Sequence, residues 1–262
     1  METTRTLAHV SDLHFGRDGS TERAAARICD ALLALRVDDV LVTGDVTNRG
    51  RADEYERFAR AFAPLRERMM VVPGNHDRLG DDAGARMMSD RVEVVSRRGL
   101  HVVLADSTAP HNRALLEGHG DLTVRDLDGI EEAARAARPG ALVVVAMHHH
   151  PLPLPPDGIG ERLSNLLGWP YAAELRRGRE LVARLRGVCD VVAHGHRHQE
   201  SASTLPARGG RDLRVMNAGC SPDLERIRVL THAGGQVLSE HWVDTAPERL
   251  GTPTGVPVPV AA

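Results

Sequence analysis

Five short clusters of metal-competent residues punctuate the chain: Asp12-x-His14, Gly44-Asp45, Gly74-Asn75-His76-Asp77, the triplet His148-His149-His150, and Gly195-His196-x-His198. Carboxylate, amide and imidazole suit Mn, Fe or Zn in oxygen and nitrogen coordination, and the scarcity of Cys argues against a thiolate site. The ligands are too many for one ion that must also leave room for a substrate. A few acidic or amide oxygens set among neutral imidazoles would leave two ions with net positive charge. Such a pair acidifies a shared water and clamps phosphate oxygens, so the chemistry implied is hydrolysis. Each cluster alone is weak, because a strand-end Asp often caps a turn and a nearby His is often merely exposed. Their conjunction carries the reading, since all five recur at the same kind of position.

That position is the carboxyl end of a predicted strand. Short Val- and Leu-rich runs alternate with Ala-, Arg- and Glu-rich stretches of helical periodicity, the pattern of an α/β fold. Leu7 to Val10 runs into Asp12, Asp39 to Thr43 into Asp45, and Met69 to Val72 into Pro73-Gly74. Leu142 to Ala146 feeds the His triplet, and Val188 to Ala193 feeds the last cluster. Ala25, Ile28, Leu32 and Leu35 recur at helical spacing and predict a crossover helix with an apolar stripe. Open α/β sheets place ligands at the carboxyl ends of their strands. Leu213 to Met216, Ile227 to Leu230 and Gln236 to Trp242 are strand-like with little helix between them, which predicts a second, more antiparallel sheet. Residues 1–245 are expected to form one catalytic domain, and 246–262 a Pro/Gly-rich tail.

With 262 residues, of which 42% are hydrophobic, the chain can bury a substantial core. Its net charge of −3 offers no basic surface, so neither a stable nucleic-acid complex nor an anionic membrane is an expected partner. Every basic residue is Arg, and three widely spaced Cys suggest reduced thiols. No run approaches membrane-spanning length and the first residues lack an apolar signal core, so a cytoplasmic location is expected. The oligomeric state stays open, a homodimer included.

The order D-x-H, G-D, G-N-H-D, His and G-H-x-H resembles the calcineurin-like metallophosphoesterases. The likeness spans residues 9 to 219 and includes Asn217-Ala218-Gly219 near the end of the family's core. Within the superfamily, Ser11-Asp12-Leu13-His14-Phe15-Gly16 is similar to the class III cyclic nucleotide phosphodiesterases and the related glycerophosphodiesterases. The resemblance implies a four-layer αββα sandwich, two mixed β-sheets flanked by helices, with two metal ions between the sheets. It assigns Asp12, His14, Asp45 and His198 to one ion, and Asp45, Asn75, His196 and one His of the triplet to the other. In the family the triplet's ligand is usually followed by one residue and then Pro, which selects His149 here. His76 would be the catalytic residue, stabilising charge or protonating the leaving alkoxide. The function implied is hydrolysis of small phosphodiesters, 3′,5′-cyclic nucleotides among them. A phosphomonoesterase or nuclease on the same site is the alternative.

Other residues have two readings. Asp77 either orients His76 or caps a following helix, and the cap is favoured. Arg17 and Arg78 follow two motifs closely and could reach a phosphate, although most Arg in so Arg-rich a chain are solvated. Pro151 to Tyr171 is a candidate substrate wall in which Trp169 and Tyr171 either stack on a base or, as favoured, anchor the loop. His111, Asn112 and His119 lie in a polar stretch read as a solvated loop, and His194 is read as supporting the ligands rather than adding to them.

Overall fold

The computed structural model describes residues 3–114, 118–154, 174–207 and 210–246. In chain order the elements are β1 (Arg5–Val10), α1 (Gly19–Leu35), β2 (Asp39–Thr43), α2 (Ala52–Ala61), β3 (Met69–Val72), β4 (Val92–Arg97), β5 (Leu100–Ala105) and α3 (Val124–Arg135). They continue with β6 (Leu142–Ala146), α4 (Gly178–Leu185), β7 (Val191–His194), β8 (Ser201–Leu205), β9 (Leu213–Asn217), α5 (Ser221–Leu224), β10 (Arg226–Ala233) and β11 (Gln236–Asp244). One sheet has the order β11-β10-β1-β2-β3, the other β4-β5-β6-β7-β9-β8. Both are mixed: the first is antiparallel from β11 to β1 and parallel from β1 to its β3 edge, and the second is parallel from β5 to β9 with an antiparallel strand at each edge.

The strand alternation sorts side chains into three apolar layers. Ala8, Val10, Val40 and Val42 face Ile28, Leu32, Phe58 and Phe62 of the helical layer on the first sheet. Leu7 and Leu41 point the other way, against Val102, Val144 and Val191 of the second sheet. Val103, Val143 and Val145 meet Leu127, Ile130 and Leu181 of α3 and α4 on the far side. The expected αββα sandwich follows from this double-sided burial, since a strand covered on both faces reads as a continuous apolar run. Helix α1 buries Ala25, Ile28 and Leu32 as predicted, while Leu35, its last residue, is exposed. Asp18 starts the helix by accepting the Ser20 and Thr21 amides, and Arg36 ends it in the left-handed region.

The late strands do not make a sheet of their own. β9 joins the second sheet parallel to β7, whereas β10 extends the first sheet antiparallel to β1 and β11 follows antiparallel to β10. β4, β5 and β8 were not anticipated from the sequence. Among the described residues no helix is long and apolar enough to cross a membrane. β11 ends at Asp244 and the Thr245 amide still bonds Glu225 O, while the tail expected from 246 lies outside the described residues beyond Ala246.

Candidate metal centre

The five motif loops converge at the carboxyl ends of β1, β2, β3, β6 and β7. Their backbones are unusual: Asp12 (φ 55°), His14 (φ 45°), Asp45 (φ 47°) and His196 (φ 68°) all occupy the left-handed region that non-glycine residues rarely adopt. Each such residue costs roughly 1–3 kcal/mol and persists only where its surroundings over-determine it. Those surroundings are visible. The buried Asp77 carboxylate accepts the amides of Gly74 (2.8 Å), Val46 (3.2 Å) and Thr47 (2.7 Å) and the Thr47 hydroxyl (2.6 Å), tying the second motif loop to the third. Asp77 therefore neither caps a helix nor touches His76. Ser11 Oγ donates to Thr43 O at 2.9 Å, and Asn217 Nδ2 donates to Arg197 O and Gln199 O, both at 2.8 Å, holding the last loop. Gly44 (φ 86°) admits no side chain, because a Cβ there would lie 2.5 Å from His148 Nδ1.

The candidate ligands meet from both sheets. His14 Nε2 lies 3.4 Å from His198 Nε2 and 4.0 Å from Asp45 Oδ2, and His198 Nε2 lies 3.8 Å from Asp12 Oδ1. On the other side of Asp45, His148 Nε2 lies 3.4 Å from its Oδ2. Asn75 Oδ1 is 3.2 Å from His148 Nε2 and 3.1 Å from His196 Nδ1. Asp45 thus stands between two groups of donors, one of Asp12, His14 and His198 and one of Asn75, His148 and His196.

The structure gives the three rings of the triplet different surroundings. Alternation continues past β6, so that Val144, Ala146 and His148 face the other sheet while Val145, Met147 and His149 face the helical layer. His149 lies close to His148 and His196, but both of its nitrogens are engaged: Nδ1 with Ser107 Oγ at 2.8 Å and Nε2 with Gly118 O at 2.9 Å. His148 donates Nδ1–H to Thr43 O at 2.8 Å, which leaves its Nε2 lone pair directed at Asp45 and Asn75. His150 stacks on His196 at 5.7 Å between ring centroids.

Whether cations fit is answered by the acceptors. The His148 Nε2 lone pair, Asn75 Oδ1 and Asp45 Oδ2 face one another, and the buried Asp12 Oδ1 has no hydrogen-bond partner. Only a cation or a proton relieves such a cluster. Burial pulls the His148 ring down, yet the charges of Asp45 and Asp12 outweigh it and push the pKa up to about 9, a proton meeting the demand that a metal would meet. Burial drives His14 down to about 3 and His196 well below the ordinary imidazole range, giving the neutral rings that ligation needs. Burial favours protonation of Asp45, but His148, His76 and His14 hold its carboxyl well below the ordinary range.

His76 sits beside this cluster. Its amide donates to Asp45 Oδ1 (2.9 Å), its Nδ1 donates to Asn48 O (2.8 Å), and its ring packs edge-on against His14 at 4.9 Å. Burial lowers its pKa, but Asp45, the Asn48 carbonyl and Asp77 more than reverse that and raise it. Arg17 forms a two-pronged ion pair with Asp223, and Arg78 binds Asp106, Asp82 and Thr108. Asp223, which no motif marks, lies 3.9 Å from His198 Nδ1. Trp169 and Tyr171 lie outside the described residues.

A family model for the calcineurin-like phosphoesterases matches residues 5–200. The chain belongs to that family. Among family members, the 3′,5′-cyclic adenosine monophosphate phosphodiesterase CpdA of Pseudomonas aeruginosa is 34% identical over 165 residues, covering 58% of this chain and 57% of that protein. The glycerophosphodiester phosphodiesterase GpdQ of Enterobacter lignolyticus is 29% identical over 234 residues, covering 77% of this chain and 76% of that protein. The match to the Pseudomonas relative therefore spans just over half of that relative's length. Among solved structures, purple acid phosphatase PPD1 from yellow lupin (Lupinus luteus) seeds superposes with a TM-score of 0.67 at 13% identity, covering 97% of this chain and 53% of that one. At that identity the likeness shows the calcineurin-like fold alone.

Proposed function

We propose that the chain is a metal-dependent hydrolase of small phosphodiesters that works with two divalent ions, Mn, Fe or Zn, with cyclic nucleotides and glycerophosphodiesters as the first substrate classes to test. The supporting observation is the convergence of acceptor atoms from both sheets on Asp45. In this reading Asp12, His14, Asp45 and His198 hold one ion, and Asp45, Asn75, His148 and His196 the other. His148 takes the place that the sequence assigned to His149. Ions held by these residues would supply an acidified water and positive charge for phosphate oxygens.

The chain's own side chains do the remaining work. His76, fixed by Asn48 O at Nδ1, presents Nε2 and carries a raised pKa, which suits a group that stabilises negative charge or hands a proton to a leaving alkoxide. Arg17 and Arg78, the arginines read as candidate phosphate contacts, already neutralise carboxylates. They are poorly disposed to demand the second charge of a monoester, which favours a diester with its single charge. The names of the two relatives point the same way.

The test is metal analysis of chelator-free protein together with kcat/KM for matched mono- and diesters under Mn, Fe and Zn. Two ions per chain and a diester preference are expected. At most one ion at saturation would overturn the dinuclear centre, and a clear monoester preference would move the chain to the phosphatase reading.

A further inference from the structure

We propose that His149 is a positioning residue: it pins the loop formed by residues 107–114 and 118–121 beside the metal centre, where that loop serves as the wall against the substrate's ester substituent. The inference deepens the phosphodiesterase reading and rests on it. His149 is buried and its hydrogen-bonding capacity is spent on this loop. Ser107 Oγ accepts the His149 amide at 3.2 Å and donates to Nδ1 at 2.8 Å, while Nε2–H donates to Gly118 O at 2.9 Å. A Cβ at Gly120 would sit 2.5 Å from His149 Cγ, so the loop lies flat against the ring.

The loop is closed on itself. The Asp121 amide donates to Ser107 O at 3.1 Å, His111 Nε2–H donates to His119 O at 2.7 Å, and the His111 and His119 rings stack 4.0 Å apart. Inward it meets the candidate metal centre at the His149 ring, and it meets the third motif's loop where Arg78 Nε donates to Thr108 Oγ1 at 2.8 Å. The His149 ring is 5.0 Å from that of His148 and 4.9 Å from that of His196. A loop that abuts the ligand rings and the third motif's loop is placed to border a group esterified to a phosphate held at the centre. An imidazole with both nitrogens bonded to protein can brace such a wall and keep it in register with the ligand rings, and it has no lone pair left for an ion.

The experiment compares His149→Gln, His149→Ala and Ser107→Ala with the full-length parent. Readouts are metal content, hydrogen exchange of the Asn112, Ala114 and Asp121 amides, and KM and kcat for a nucleotide diester and for methyl nitrophenyl phosphate. Expected are parental metal content, exchange at those amides faster by on the order of tenfold or more in His149→Ala, and an intermediate effect in Ser107→Ala, since a lost buried hydrogen bond is worth about that factor. KM for the nucleotide diester should rise about tenfold while kcat for the methyl ester holds, and Gln, which restores the donor to Gly118 O, should recover part of the loss. Loss of an ion in His149→Ala would make His149 a ligand and overturn the proposal. Unchanged exchange, or an equal loss on both esters in every variant, would overturn it too. If the parent hydrolyses no diester, the function reading fails, and exchange and metal content still decide whether His149 braces the loop.

Discussion

The two sheets contribute unlike halves to the centre. The first supplies the candidate ligands Asp12, Asp45 and Asn75 with one imidazole, His14; two of its three loops turn through the left-handed backbone region, and Asp77 clamps the second loop to the third. The second supplies imidazoles, His148, His196 and His198, from loops held by Asn217 and by the Thr43 carbonyl of the opposite sheet. Carboxylates thus come from one side and most of the imidazoles from the other. The comparison teaches that neither half is a metal site by itself, because the carboxylates need cations for company and the imidazoles need carboxylates to set their charge.

The sharpest way to break that division is at Asp45, which both halves share. Asp45→Asn should cost both ions more than 100-fold in affinity, beyond the 10–100-fold typical of a lost supporting contact, whereas His198→Ala should weaken mainly one. Titration with Mn or Zn followed by elemental analysis checks this, and equal, small effects would count against the bridging role. Next in size, His76→Ala should keep both ions yet lower kcat by on the order of 10²–10⁴, most for poor leaving groups. An identical loss across a leaving-group series would mean that His76 holds the phosphate instead.

The two clamps can be compared directly. Asp77→Ala strands three buried amides and should lower metal-free stability by about 3 kcal/mol or more in urea unfolding. Asn217→Ala strands two carbonyls, which are less costly, and one buried amide, that of Gly219, and should lose less, about 2 kcal/mol. The reverse order would mean that the imidazole half is the more tightly built. The pH dependence of metal-free stability probes the same half more gently. Burial, aided by His194 and Arg197, pushes His150 down to about 3 from an unfolded value of 6.5. Between those values the unfolded chain binds the extra proton, so stability falls as pH falls, by up to about 1.4 kcal/mol per unit. His150→Gln should lessen the slope between pH 6 and 4 by up to about 1.4 kcal/mol per unit, the buried His14 and His196 supplying part of what remains, and an unchanged slope would assign it elsewhere. Smallest of all, Arg78→Gln should change kcat/KM for a diester less than about tenfold, because its guanidinium is already occupied by Asp82 and Asp106. A larger loss confined to KM would restore Arg78 as a phosphate contact.

Much of this molecule is local and therefore legible in the chain. Val-rich runs ended by Gly, Pro or Asp declare strands, the spacing of Ala25, Ile28 and Leu32 declares a helix, and polar clusters directly after those strands declare where a site lies. Alternation also requires that neighbours in the His triplet differ in role. Which parity faces the opposing sheet is not local, since Val143 and Val144 are equally apolar and both are buried. Only the packing of β6 against the first sheet turned His148 toward Asp45 and His149 toward Ser107 and Gly118. The same limit explains Asp77, whose four donors come from two loops, and the late hairpin, whose β10 pairs with β1 across more than two hundred residues. Ligand types and strand ends follow from side-chain chemistry and local backbone preference. Ligand register, strand order and the clamps on strained loops depend on contacts between segments distant in sequence, and those exist only once the sheets have stacked.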